Sequence, residues 1–303
     1  MKNIAILIPV HNNIHLTRQC IQQLEIMLKE IHEQDSINYK IILIDDGSSD
    51  GTSQWVRDSH PDVTLLEGNG NLWWSGGINK GAHHAMENED TDFLLLWNND
   101  IIPERNYFKE MNRIIGATDN NTIIGSKICS YHNPDKIWSV GGKFDPLTGK
   151  FLNYGQEKEI NHGQKLPEPD WLTGMGTLIP GKTIQTIGYW NEEKFPQYYG
   201  DADYTYRAKK KGFKLKVFPE LIIYNDTQNS GMIHNGKLSK LAMSLQSNRS
   251  KYNLKKDLMF YNLHARTWWA YFYVFKKYFR YVGGFVKWKI LQTCGLKKKI
   301  TDS

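Results

Sequence analysis

Tyr39-Lys40-Ile41-Ile42-Leu43-Ile44 runs directly into Asp45-Asp46-Gly47-Ser48-Ser49-Asp50-Gly51-Thr52, an apolar stretch that ends in small and acidic residues. The apolar part reads as a strand buried in a parallel sheet. Open α/β sheets bind ligands in the crevice beyond the carboxyl ends of such strands, which is where Asp45 and Asp46 fall. Their carboxylates repel phosphate but accept hydrogen bonds from a nucleobase N–H or from ribose hydroxyls. Taken alone, the cluster serves equally as an acidic turn before a helix that begins near Thr52.

The pattern recurs on both sides. Residues 4–10 (Ile-Ala-Ile-Leu-Ile-Pro-Val) form a strand, and the next segment sets Leu16, Cys20, Leu24, Met27, Leu28 and Ile31 on one helical face. A helix over 52–59, a short strand over 63–66, a helix over 76–88 and a strand over 93–97 follow. This alternation implies right-handed βαβ units and a parallel sheet flanked by helices. Beyond Pro103 short strands at 122–127 and 138–144 sit among Gly- and Pro-rich turns, a mixed, partly antiparallel extension of the same sheet. Three strands of the first half end in polar clusters: Pro9-Val10-His11-Asn12, Asp45-Asp46-Gly47-Ser48 and Asn98-Asn99-Asp100. In a parallel sheet these ends share one edge, so together they outline a nucleotide-type pocket.

The 303 residues suffice for a full α/β core with a smaller appendage. Cys20, Cys129 and Cys294 have neither metal-ligand spacing nor even pairing, which points to a reducing compartment. No stretch approaches the ~20 apolar residues of a membrane span, and the first strand is too short for a signal peptide. These features point to the cytoplasm. The net charge of +6 is local: no acid lies between Asp257 and Asp302, whereas Arg266, Lys276, Lys277, Arg280, Lys287, Lys289 and Lys297–Lys299 do. The charge therefore gives no reason to expect a nucleic acid partner.

Individual motifs leave choices open. Asp100 ends its strand and can hold Mg²⁺ or Mn²⁺, which bind through one or two carboxylates plus substrate phosphates, or it can cap a helix. Gly68-Asn69-Gly70-Asn71-Leu72-Trp73 begins like a dinucleotide fingerprint but has tryptophan at the third glycine position. Gly176-Thr177-Leu178-Ile179-Pro180-Gly181-Lys182-Thr183 matches a phosphate loop letter for letter, yet its apolar interior reads as a strand, a Pro-Gly turn and a helix. Asp201 and Asp203 precede a basic helix over 204–211, and either can cap it or serve as a general base. The histidines, among them His11, His83, His84, His132, His162, His234 and His264, show no metal spacing.

Taken in order, these residues resemble a family-2 inverting glycosyltransferase with the GT-A fold over roughly residues 3–225. The segment Gly70–Gly81 resembles a bacterial rhamnosyltransferase-like branch. The resemblance implies an α/β protein with a single Rossmann-like, mostly parallel sheet flanked by helices. Residues 1–225 would form the transferase domain, with a nucleotide-binding half (1–103) and an acceptor-side half (104–225), and 226–303 an aromatic, basic helical extension. It assigns the donor nucleotide to Pro9, His11, Asn12, Asp45, Asp46, Gly76, Asn79, Asn98 and Asn99. Asp100 would hold Mg²⁺ or Mn²⁺ against the diphosphate. Asp201 would be the catalytic base, and Thr173, Gly174 and Met175 would border the acceptor.

This sequence departs from the family pattern at three places. Gly200 stands where the family has Glu, Asn98 and Asn99 stand where it has Asp, and Tyr224-Asn225 stands where many members carry His. The function implied is transfer of a sugar, rhamnose among the candidates, from a UDP- or dTDP-linked donor to a cell-surface glycan or lipid-linked acceptor. Two rivals differ in their needs. A sugar-phosphate nucleotidyltransferase would want a basic, Gly-rich loop after the first strand, where His11-Asn12-Asn13-Ile14 stands. A non-catalytic nucleotide-, glycan- or membrane-binding protein would have no use for both Asp100 and Asp201. The extension carries aromatics from Phe260 to Trp288 among lysines and arginines, which suits peripheral contact of residues 258–299 with the cytoplasmic face of an anionic membrane or packing on the transferase domain.

Overall fold

The computed structural model describes residues 1–31, 37–159, 166–226 and 237–294, with side chains of 156–159 excepted. In chain order the first elements are β1 (Lys2–Val10), α1 (Ile14–Ile31), β2 (Ile37–Asp45), α2 (Thr52–Ser59), β3 (Thr64–Glu67), α3 (Trp73–Asn88) and β4 (Phe93–Leu96). They are followed by β5 (Ile101–Pro103), α4 (Tyr107–Ala117), β6 (Thr122–Ser130), β7 (Lys136–Phe144), β8 (Phe151–Glu159), β9 (Thr177–Pro180), α5 (Gly181–Ile187), α6 (Gly200–Lys210) and β10 (Lys214–Asn225). Three helices, α7 (Leu238–Ser244), α8 (Leu254–His264) and α9 (Ala270–Thr293), follow.

The strands form one sheet in the order β3-β2-β1-β4-β9-β6-β10-β5, with β7 paired to β6 and β8 to β7. The β3-β2-β1-β4 half is wholly parallel, as the helix–strand alternation predicts. β9 runs antiparallel to both neighbours and β5 antiparallel to β10, which gives the mixed extension. Val10 is level with Asp45 and Leu7 with Leu96, so the three polar clusters do share one edge. The phosphate-loop match resolves into β9 and α5, with Leu178 and Ile179 fully buried. β8 and β10 are strands that the pattern does not announce.

Side-chain alternation along β1 feeds two cores. Ile4, Ile6, Ile8 and Val10 pack with Cys20, Ile21 and Leu24 of α1 on one face. Ala5 and Leu7 pack with Ile78, Ala82 and Ala85 of α3 on the other. α3 lies unusually close to the sheet. A methyl on Gly77 would stand 2.7 Å from the Pro9 Cβ, and one on Gly81 would stand 2.8 Å from the Ile44 side chain.

Contacts divide the chain into two units. The first comprises Met1–Lys143, Leu152–Pro196 and Gly200–Gln228, and the second Phe144–Phe151, Gln197–Tyr199 and Asn229–Ser303. The second unit therefore takes a turn and a tripeptide from within residues 1–225. Its core is aromatic: Phe144, Phe151, Tyr199 and Tyr261 surround Phe260 at or within 6.3 Å between ring centroids. Tyr278 and Phe285 of α9 are also buried, whereas Trp268, Trp269, Phe272, Phe275 and Phe279 are exposed.

The close approach of α3 makes a signed prediction. Gly→Ala inside a helix ordinarily gains about 0.5–1 kcal/mol, but the rigid Pro9 ring faces Gly77. Gly77→Ala should therefore lower stability by ~1–3 kcal/mol through overpacking, read from urea unfolding. A stabilised variant would show that α3 has room to spare.

Candidate active site

The site is built at the carboxyl edge from loops that hydrogen-bond one another. After β1, Asn12 and Asn13 adopt positive φ (59° and 65°), which asparagine tolerates better than most residues. The Asn12 N–H donates to Ser48 Oγ (2.6 Å), and its side-chain oxygen accepts the Ser49 N–H (2.9 Å). His11 Nδ1 lies 2.7 Å from the Asp46 carbonyl, which can only accept, so Nδ1 carries the proton. Nε2 is then free to accept from the Asn12 amide at 3.1 Å.

Asp45 and Asp46 are nearly buried, and both carboxylates hold loop backbone. Asp45 accepts the Ser48 N–H (2.9 Å) and the Ser53 hydroxyl. Asp46 accepts the N–H groups of Gly70 (2.8 Å) and Trp73 (3.0 Å), fixing the start of α3. Asp50 accepts from Ile14 at the start of α1 and from Thr52. Burial would raise the Asp50 pKa, but these hydrogen bonds outweigh it and hold the carboxyl below its ordinary value.

At the end of β4, Asn98 Oδ1 accepts the Trp74 indole N–H (3.1 Å), and the Asn99 amide donates to Thr17 Oγ1 (3.0 Å). The Cys20 thiol reaches the Asn98 carbonyl at 4.0 Å, and burial pushes its pKa to about 12. Asp100 reaches solvent at the rim. Its pKa is raised, first by the protein around it and then by the charge of Asp226, against one hydrogen bond from its own N–H. Asn225 is buried and pairs with Ile101, so the chain end of β10 arrives beside Asp100. Asp226 in turn lies 3.2 Å from His132 Nε2. Among the described residues no three His, Cys, Asp or Glu side chains could by themselves hold a metal ion. Oxygen donors at Asp100 with Asp226 nearby nevertheless suit Mg²⁺ or Mn²⁺, whose remaining ligands come from phosphate and water.

The two aspartates of α6 part company in the structure. Asp203 is fully buried and pairs with Arg207 Nε at 2.9 Å, while Arg207 also donates to the carbonyls of Ile187 and Tyr189. Asp201 is partly exposed and accepts the N–H of Gly174 (2.9 Å) and of Ala202 (2.8 Å). Burial raises its pKa despite those two bonds. Gly200, where the resemblance leads one to expect Glu, is explained by crowding: a Cβ there would stand 2.1 Å from Ser75 Oγ.

Thr173, Gly174 and Met175 are buried beside Asp201, and a Cβ on Gly174 would stand 2.3 Å from the Trp74 ring. Trp74 is thus the residue that the sequence reading missed. It connects Asn98 to Gly174, and Gly174 holds Asp201. The signal was a tryptophan pair opening a helix, with Trp73 itself at φ 58°. Gly76 and Asn79 both face the 190–192 segment. The Asn79 amide bonds the Trp190 carbonyl and Glu192, accepts the Trp190 N–H, and is buried, while Gly76 faces Leu72 and Glu192. These contacts make Asn79 a joint between α3 and the 190–192 segment.

A family model described as glycosyl transferase family 2 matches residues 5–170. The low-salt glycan biosynthesis hexosyltransferase Agl10 of Haloferax volcanii is 24% identical over 197 residues, which cover 62% of this chain and 59% of Agl10. The chain thus spans about three-fifths of the length of that curated relative. Among solved structures, S. aureus TarS superposes with a TM-score of 0.51 at 14% identity, over 84% of this chain and 41% of TarS. The mannosyltransferase PcManGT of Pyrobaculum calidifontis, in complex with GDP-Man and Mn²⁺, gives 0.50 at 13% identity, over 96% and 84%. These likenesses are of fold, and the fold is GT-A.

The parting of Asp201 and Asp203 can be measured in folding alone. Asp203→Asn removes the buried partner of Arg207 and should cost ~1–3 kcal/mol in denaturant unfolding. Asp201→Asn should change stability far less, because it relieves a carboxylate that burial disfavours. The opposite ranking would exchange their structural roles.

Proposed function

This chain belongs to glycosyl transferase family 2, and from that premise we propose that it is an inverting transferase. It moves a sugar from a UDP- or dTDP-linked donor, rhamnose among the candidates, to a hydroxyl of a cell-surface glycan or lipid-linked acceptor. One observation carries this reading: a single hydrogen-bonded and packed path, Asn98–Trp74–Gly174–Asp201, joins the Asn98-Asn99-Asp100 turn to Asp201.

The loops of Pro9–Asn12 and Asp45–Asp46 form the nucleotide end, where lone pairs left on the two carboxylates accept from base or ribose. Asp100, with Asp226 beside it, would hold Mg²⁺ or Mn²⁺, which offsets charge on the leaving diphosphate when bound. Asp201 takes the proton of the acceptor hydroxyl. That oxygen bonds to the anomeric carbon from the face opposite the diphosphate, whose C–O bond breaks, so the configuration inverts. The two backbone N–H groups orient the Asp201 carboxylate, and its raised pKa makes it a better base than an exposed aspartate.

Asp201→Asn should leave UDP or dTDP binding intact and lower kcat by ~10²–10⁴-fold, the usual contribution of a general base. Asp100→Asn should reduce turnover by ~10²-fold or more and remove most of the Mn²⁺ dependence. A base must be ionised, so kcat should fall as pH drops through the Asp201 pKa, at a pH above the ordinary aspartate value of about 3.9. A titration of kcat that breaks no higher than an exposed aspartate would remove Asp201 from this role.

We also place the protein peripherally at the cytoplasmic face of an anionic membrane. Among the described residues no helix is long and apolar enough to cross a bilayer. Trp268, Phe272, Phe275, Phe279, Val282, Val286 and Ile290 recur every three or four residues and are all exposed. Only basic charges accompany them, so a second copy of this face would be repelled whereas anionic lipid would be attracted, at roughly 1 kcal/mol per basic residue. Residues 295–299, with Lys297–Lys299, lie outside the described residues. Phe275→Glu with Phe279→Glu should abolish low-salt sedimentation with phosphatidylglycerol vesicles, and unchanged sedimentation would rule out this face.

A further inference from the structure

The second unit contains a cavity of about 620 Å³ walled by α8, α9, Phe151 and Tyr199. That volume is in the range of sites that enclose a small organic ligand rather than an ion. Its one carboxylate among the described residues, Asp257, is buried, pairs with Lys277 and accepts the Tyr199 hydroxyl. Lys277 is therefore neutralised within the wall. Lys276 and Arg280 are different: both line the cavity, both are exposed, and neither has a carboxylate partner among the described residues. They stand four residues apart on α9, so their heads meet on one helical face. The remaining wall is largely aromatic, with Tyr252 and Tyr281 stacked at 3.7 Å and the Tyr281 hydroxyl 2.8 Å from Ser244 Oγ.

Two unpaired cations beside aromatic rings select a ligand with two parts. A guanidinium and an ammonium together suit a phosphate ester, which Arg grips through two parallel N–H bonds. Flat aromatic walls suit the C–H face of a pyranose, and tyrosine hydroxyls suit its OH groups. A nucleotide base is poorly served, because the only carboxylate in the wall among the described residues is already paired. Membrane attraction alone explains neither a cavity of this size nor the buried Asp257 carboxylate that neutralises Lys277.

We infer that this cavity binds the sugar phosphate portion of the acceptor, with phosphate at Lys276 and Arg280 and the sugar ring against the Tyr252–Tyr281 wall. Naming the ligand an acceptor rests on the transferase reading above. The binding itself does not, because it is a property of the second unit. A phosphorylated sugar can reach the cavity free or as a lipid headgroup, and the chemistry recognised is the same.

The test is calorimetric titration of the full chain with glucose 1-phosphate, methyl glucoside and inorganic phosphate, with phosphatidylinositol in phosphatidylcholine vesicles as the lipid arm. Glucose 1-phosphate should bind at least about tenfold more tightly than either half alone, each factor of ten being about 1.4 kcal/mol. Lys276→Gln with Arg280→Gln should weaken it about tenfold or more, and Tyr252→Ala should do likewise. UDP or dTDP binding and the melting temperature of the charge variant should be unchanged, since both cations are exposed. Binding seen only in the phosphatidylinositol arm, and lost in the charge variant, would support the inference with a lipid source. Absence of binding in both arms, or equal binding by the charge variant, overturns it. If wild type binds the sugar phosphate but hydrolyses no nucleotide sugar, the transferase reading fails and the cavity stands.

Discussion

The Asp46 carboxylate accepts the N–H groups of Gly70 and Trp73, and so it decides where α3 begins. With that start fixed, the next residue, Trp74, bonds Asn98 and covers Gly174, and Gly174 holds Asp201. Five segments far apart in sequence are thereby held in one relation by backbone donors and one indole. The carboxylate is nearly buried, where hydrogen bonds to a charged group are at their strongest and an unmet one costs most. Trp73 keeps a left-handed backbone conformation that a bulky residue rarely adopts, at a cost of order 1–3 kcal/mol. The Asp46 bond is what holds it there.

Small residues do the rest of the positioning. Gly77 and Gly81 let α3 settle on β1 and β2, Gly174 leaves room for the indole, and Gly200 leaves room for Ser75. The helix that carries Trp74 and Ser75 is therefore clamped between the parallel half of the sheet and the start of α6. Asp201 and Asp100 then sit in surroundings that favour their neutral forms, the first through burial and the second, at the rim, through the protein beside it and the charge of Asp226. A proton acceptor and a divalent ion each benefit from a carboxylate whose negative charge is incompletely satisfied by the protein.

The parallel half was legible because β1, β2 and β4 are short apolar runs bounded by polar clusters, and such runs have few other readings. β10 was not, because Pro219 interrupts it; the strand survives through a register shift between Phe218 and Ile222, beyond what local pattern can express. The Gly176–Thr183 match fails as a phosphate loop because Leu178 and Ile179 are the buried interior of β9. Asp201 and Asp203 could not be separated by spacing, since their difference lies in tertiary partners, Gly174 for one and Arg207 for the other. The partners of Asn79 are beyond local pattern for the same reason: its amide bonds Trp190 and Glu192, more than a hundred residues away. In the extension, composition showed aromatics and cations but could not sort buried Phe260 and Phe285 from exposed Phe275 and Phe279.

Cys20 offers a way to watch this site without touching it. Its thiol lies against the Asn98 carbonyl, almost sealed from solvent and with a pKa near 12, so an alkylating reagent finds essentially no thiolate there. Labelling must wait until α1 lifts from the end of β4, whereas Cys294 is exposed from the outset. The ratio of the two labelling rates is then a clock for transient opening at the edge of the sheet. Any ligand that draws the strand ends together would slow that clock, and its slowing would be readable in a protein that has not turned over once.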